Sequence, residues 1–213
     1  MVVRRLRRSG GWLTGEDLPY LLFLTVIFIV GVFFGSLAIK SLGYQAREEL
    51  VAYLSNFFQG IEGQGLFSMD TTSLVETLSY NLKTLLLLWL LGLSIIGMPL
   101  IPIIIFMKGF VIGFTVGFLV EELVMKGVVF ALASVVPHNL ILIPGFLLAG
   151  IFSLSFSFTV VKSLFMKRPI NFLPGLFNFT AITMGLGLLL IAGGFIEAYV
   201  TPFFMELVIK YVV

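Results

Sequence analysis

The chain has no cysteine and only one histidine, His138. Without cysteine there is no disulfide, no thiolate metal site and no cysteine nucleophile. A zinc centre needs several converging His, Cys or carboxylate ligands, and no HExxH occurs. No glycine-rich phosphate loop follows a strand, and GxSxG is missing. Charge is scarce as well: Asp, Glu, Lys and Arg make up 11% of the residues, where a soluble domain has roughly 25%. No basic face with interleaved aromatics is present, so nothing points to nucleic acid. These absences predict a protein that is not an enzyme, with no cofactor, no bound metal and no catalytic residue.

What is present is hydrophobic. The 59% apolar share, the 23 phenylalanines and the mean hydropathy of +1.13 predict an all-α polytopic membrane protein. The expected fold has about five transmembrane helices, a broken or re-entrant half-helix, and interfacial helices. Residues 1–19 read as a cytoplasmic basic N-terminus, with Arg4, Arg5, Arg7 and Arg8 holding it inside. Residues 20–40 hold the first span, whose run Tyr20 to Ile39 is too long for a signal-peptide core and lacks a cleavage pattern. Residues 41–80 read as an extracytoplasmic amphipathic loop, 81–198 as the membrane core, and 199–213 as an interfacial tail braced by Glu206 and Lys210.

In the loop, Leu50, Leu54, Phe57, Phe58 and Ile61 recur at helical spacing, with Arg47, Glu48, Glu49, Asn56 and Gln59 mostly off that stripe. Gly60, Gly63 and Gly65 are expected to end this helix. The stripe either covers the bundle or interface, or docks a partner. Candidate partner-facing residues on the outer side are Leu50, Leu54, Phe57, Phe58, Glu121, Glu122 and Glu197.

The second span is expected over Leu82 to Phe106, kinked by Pro99 and Pro102, with Lys108 in a short turn after it. Gly109, Gly113 and Gly117 follow as a ladder of small residues four apart, which lets a neighbouring helix approach closely. From Lys108 to Val120 a helix covers only ~18 Å, short for a crossing.

The segment from Lys126 to Lys162 (126–162) is too long for one simple crossing and is interrupted by Pro137-His138-Asn139, with Pro144 further on. Proline removes a backbone donor and disfavours helix before it. Two layouts fit. In one, Gly127 to Val136 enters as a half-helix and Leu140 to Val161 leaves as a span. In the other, a single helix is kinked. His138 and Asn139 are expected to satisfy backbone groups freed at the break. Lys167, Arg168 and Pro169 form the next connection, and Phe179 to Ala198 the last span, broken by Thr201-Pro202. Five crossings put the basic clusters inside and most carboxylates outside, with the N-terminus cytoplasmic and the C-terminus extracytoplasmic. Glu121, Glu122, His138 and Glu197 are the groups that a convergent outer site would use.

Several motifs then occur in a telling order. VGVFFGSLAI precedes the polar loop, LGLSIIGMPLIPIIIFMKGFVIGFTVGFLV follows it, and SVVPHNLILIP and FIEAYVTP come after. Over nearly its full length the chain resembles the stage II sporulation protein M (SpoIIM) family of endospore-forming bacteria. The resemblance implies a role in engulfment of the forespore, together with two peptidoglycan-degrading partners that are SpoIID-like and SpoIIP-like. It implies that those partners carry the wall chemistry and that the membrane protein recruits them.

Two functions compete. The first is a non-enzymatic scaffold in the cell membrane, in contact with lipids and with wall hydrolases. The second is a channel or transporter subunit built around the break at Pro137 to Asn139. A water-filled cavity reaching His138 would favour transport, and a dry packed break would favour the scaffold. The sequence leaves the oligomeric state open.

Overall fold

The computed structural model describes residues 17–64, 71–166 and 172–212. Arg4, Arg5, Arg7, Arg8, Gly65, Lys167, Arg168 and Pro169 lie outside the described residues, as do the side chains of Phe58, Ile61 and Lys210. All described elements are helical. α1 is Leu18–Ala38, closed by a 3-10 turn, Ile39–Ser41. α2 is Tyr44–Gln64 and α3 is Thr71–Gly92. The stretch Gly97–Met166 reverses at Val124, giving α4 (97–123) and α5 (125–166). α6, Phe172–Phe195, passes through a π-helical turn, Ile196–Val200, into α7, Thr201–Val212.

α1 starts with a proline in its first turn, where the missing N–H costs nothing. At ~1.5 Å per residue it is about 31 Å long, the thickness of a bilayer core. Leu22, Val26, Ile29 and Phe33 all point outward and are more than half exposed. In water this would be an aggregation-prone face; in a bilayer it is the lipid contact. Four apolar helical stretches are long enough to cross. One of them is the α4–α5 hairpin, so the described residues supply five crossings: α1, α3, α4, α5 and α6. This is an all-α polytopic membrane protein.

The second span differs from expectation. The chain reverses at residues 93–96, between Gly92 and Gly97, so Leu82 to Phe106 is not one helix. No charge marks the turn, because its polar groups are satisfied internally. Ser94 Oγ accepts the Ile96 N–H at 3.1 Å, and the Ser94 carbonyl accepts the Ser157 hydroxyl at 2.7 Å. Gly97 is pressed against the Leu91 carbonyl, where a Cβ would collide. Pro99 therefore falls in the first turn of α4, and only Pro102 lies within the helix. Lys108 is consequently in the middle of α4, not in a turn. α4 is also no short crossing: 97–123 covers about 40 Å.

The re-entrant half-helix is not formed. α5 stays helical through Pro137, His138, Asn139 and Pro144, and the non-helical residue of the 97–166 stretch is Val124 (φ 54°, ψ −126°). A proline deletes one backbone bond, and a membrane helix tolerates this when neighbouring groups re-satisfy the backbone. The reversal falls instead where the polar pair Glu121-Glu122 ends α4 and Gly127 allows α5 to close onto the Leu119 carbonyl. Two smaller expectations also fail. Gly60 and Gly63 do not end α2, which runs on to Gln64; a helical glycine costs only about 1 kcal/mol. Thr201-Pro202 does not break the last helix, because Pro202 sits in the first turn after the π-helical segment.

The glycine ladder packs α4 on α1. Gly109 lies against the Phe28 carbonyl, Gly113 against the Val32 carbonyl and Gly117 against Ser36. In return, Gly31 lies on Phe106 and Gly35 on Phe110. Contacts advance in the same direction on both helices, so α1 and α4 are parallel. α6 runs antiparallel to α3 and α5, shown by Gly92 on Phe179, Gly145 on Leu190 and Gly193 on Leu142. Trp89 Nε1 donates to Thr180 Oγ1 at 3.1 Å, tying α3 to α6.

Two apolar centres result. The larger unites all five crossing helices around Leu24, Leu88, Ile105, Leu142, Ile151 and Leu190. The smaller lies at the Val124 end, where Leu119, Phe130 and Ala131 pack with Leu54 and Phe57 of α2 and Met205 and Val208 of α7.

Candidate functional site

Between these two centres lies a cavity of ≈ 370 Å³, walled by α1, α3, α4, α5, the π-helical turn and the start of α7. Its lining is mostly apolar, including Phe28, Val111, Ile112, Leu142 and Phe146. Into it project Lys108, Asn81, Glu197, His138, Asn139 and Thr201.

Lys108 follows from the helix register. Its neighbour Gly109 meets Phe28, the midpoint of α1, so the ammonium sits near the middle of the crossing. It lies over the rings of Tyr80, at 4.3 Å, and Phe146, at 4.1 Å. Two aromatic faces attract a cation through the negative face of each ring. Lys108 forms no ion pair or hydrogen bond to a described residue. Glu197 interacts with it through space across the cavity without closing to an ion pair. An ionisable residue at this depth is expensive and marks function by default.

Asn81 enters from α3. It is only 4% exposed, and its Nδ2 has no hydrogen-bond partner. The Glu197 carboxylate attracts this amide, but the pair does not reach hydrogen-bond geometry. A buried donor left unmade costs about 1–3 kcal/mol, so its retention needs a reason. Glu197 itself is carried by the π-helical turn, whose extra residue re-aims side chains and recurs at functional sites.

His138 belongs to a directed chain. Asn139 Nδ2 donates to the Val135 carbonyl at 2.8 Å and to His138 Nε2 at 2.9 Å. Nε2 is thus an acceptor, so the proton resides on Nδ1, which donates to Thr201 Oγ1 at 3.3 Å. The Thr201 hydroxyl donates to the Ile196 carbonyl at 3.3 Å. Both ring nitrogens are used, and the chain clamps α5 to the π-helical turn. His138 reaches across to another helix, whereas Asn139 bonds backbone within its own.

The other sequence candidates lie elsewhere. Pro144 is exposed on α5. Arg47 Nε donates to Glu122 Oε1 at 2.6 Å, and Arg47 Nη2 lies 3.8 Å from Glu121, so α2 is held to the end of α4. Glu121 and Glu122 therefore do not meet His138 and Glu197. Leu54 and Phe57 face the bundle, Leu50 is half-buried, and Glu197 lines the cavity. Sequence reasoning missed Asn81 and Tyr80 and placed Lys108 in a turn. A single lysine inside the apolar run from Leu85 to Val120 was the available signal.

The family model for stage II sporulation protein M matches residues 24–202. The chain belongs to the SpoIIM family. Comparisons with curated proteins and with solved structures return no match. The SpoIIM match runs from α1 to the start of α7, and so includes every element that walls the cavity. It makes this a sporulation-related membrane protein.

Proposed function

We propose that the protein is a non-enzymatic membrane scaffold. It recruits and localises peptidoglycan-degrading enzymes, SpoIID-like and SpoIIP-like, for septal wall remodelling and membrane migration during forespore engulfment. The observation that carries this reading is the family match over 24–202. In this reading the N-terminus is cytoplasmic and the C-terminus extracytoplasmic, which puts α2 and the Val124 reversal outside. The exposed face of docked α2, with Tyr44, Glu48, Glu49, Tyr53, Asn56 and Gln59, is then the surface offered to the hydrolases. The apolar stripe is used within the protein, so recognition falls to the polar and aromatic face. Affinity purification from sporulating membranes tests the proposal: both hydrolases are expected to be retained, and absence of both, with a control membrane complex retained, refutes it.

A second reading, a channel or transporter subunit, is favoured by one observation: the cavity reaches His138 and holds Lys108 and Glu197. It requires that liposomes containing the protein pass a solute, and that His138→Ala and Glu197→Gln stop the flux in folded protein. Lack of flux for every ion and small solute tried rules it out.

A further inference from the structure

We infer that the intramembrane cavity is a binding site for a small zwitterion, an ammonium and an anionic group carried on an apolar body. Three polar side chains line it, from α3, α4 and the π-helical turn, and neither the Lys108 ammonium nor the Asn81 Nδ2 is hydrogen-bonded within the described residues. Lys108 supplies an ammonium held against two ring faces, with N–H capacity left for an anion. Asn81 supplies an unpartnered amide donor on a side chain that is 4% exposed. Each is a donor suited to a carboxylate or phosphate oxygen. Glu197 supplies only acceptors when ionised, which suits an ammonium.

The charge balance selects the class. Lys108 and Glu197 sum to zero, so a ligand with net charge would leave an uncompensated charge near the bilayer middle, at high cost. A neutral ligand without charged groups would leave the lysine and glutamate unpaired. A zwitterion satisfies both and leaves no net charge. The remaining wall, with Phe28, Leu142 and Ile143, suits an apolar body. The volume of ≈ 370 Å³ falls at the lower end of small-molecule sites, about 300–1,000 Å³. The His138 chain is already satisfied and holds the π-helical turn that presents Glu197, so it positions the site without contributing free donors. The inference depends on neither reading of the cellular function.

The same chemistry has two sources, an amino acid and the ethanolamine-phosphate headgroup of a lipid. The test uses the purified full-length protein in phosphatidylglycerol nanodiscs, titrated by calorimetry with L-leucine and with glycerophosphoethanolamine. Isocaproate and leucine methyl ester serve as analogues that carry only one of the two charges. At least one zwitterion is expected to bind at least tenfold more tightly than either analogue. Binding of L-leucine assigns a soluble ligand, and binding of glycerophosphoethanolamine alone assigns a lipid headgroup. In Lys108→Met and Glu197→Gln, binding is expected to weaken at least tenfold, the scale of one lost charged hydrogen bond. Failure of both zwitterions on the wild-type protein overturns the inference, as does equal binding of an analogue. The wild-type comparison decides even where a variant does not fold.

Discussion

The backbone of Gly109 lies against the carbonyl of Phe28, and this contact makes α1 and α4 a parallel pair with α3 returning the chain between them. It also fixes the depth of Lys108, since Phe28 is the midpoint of α1. A small-residue seam thus sets the height of the charge that the cavity is built around.

The seam is sensitive to one side chain. A Cβ at Gly113 would collide with the Val32 carbonyl, whereas Gly185 faces open space. Gly113→Leu is expected to destabilise the protein by about 3 kcal/mol, the upper part of the overpacking range. Gly185→Ala is expected to raise stability by about 0.5–1 kcal/mol through helix propensity. Thermal melting in detergent reads both, and equal melting of the two variants contradicts the seam.

Val124 carries a positive φ of 54° with ψ −126°, a backbone state suited to glycine at the first central position of a type II′ turn. It is also well exposed, so little packing is lost on truncation. Val124→Gly is expected to stabilise the protein by about 1 kcal/mol, through relief of strain. A lower melting temperature in this variant would place the reversal elsewhere.

Lys108 keeps an unpaired ammonium between two rings. Methionine matches its length and retains the ring contacts without the charge. Lys108→Met combined with Glu197→Gln removes both charges and is expected to raise stability by about 1 kcal/mol, because desolvation of the two groups outweighs their attraction. A gain in stability with a loss of ligand binding is the signature of a functional pair. A marked fall in melting temperature would make the pair structural.

α2 is held by packing more than by charge. Arg47→Ala removes a partly exposed ion pair and is expected to cost less than about 1 kcal/mol. The pair Leu54→Asp and Phe57→Asp takes away the contacts to Leu119 and Phe130 and is expected to release α2. Hydrogen exchange should then rise across 44–64 in the double variant only. Equal protection in all three proteins would show that α2 is held by something else.

The class of fold was legible because it rests on hydropathy and length, which α1 and α6 display without ambiguity. The stripe on α2 was also readable, since Leu54 and Phe57 recur at helical spacing. Helix ends inside the apolar run were not. At 93–96 the chain turns with no charged residue, because Ser94 and Ser157 satisfy the turn from within, and hydropathy is blind to that. This error moved Lys108 from the centre of a helix to a turn and hid its partners. At Pro137 the opposite happened: a strong local breaker was overridden by the continuous apolar helix around it. Asn81 and Glu197 are 116 positions apart in sequence, and only the antiparallel packing of α3 and α6 brings them together.

The proposed gathering of wall-degrading enzymes at the membrane stands or falls on affinity purification of the full-length protein from sporulating cells. Both hydrolases are expected to co-purify with the wild type and with Lys108→Met, and the double variant at Leu54 and Phe57 is expected to lose them. Recovery of neither hydrolase with the wild type, while a control membrane complex is recovered intact, would contradict it.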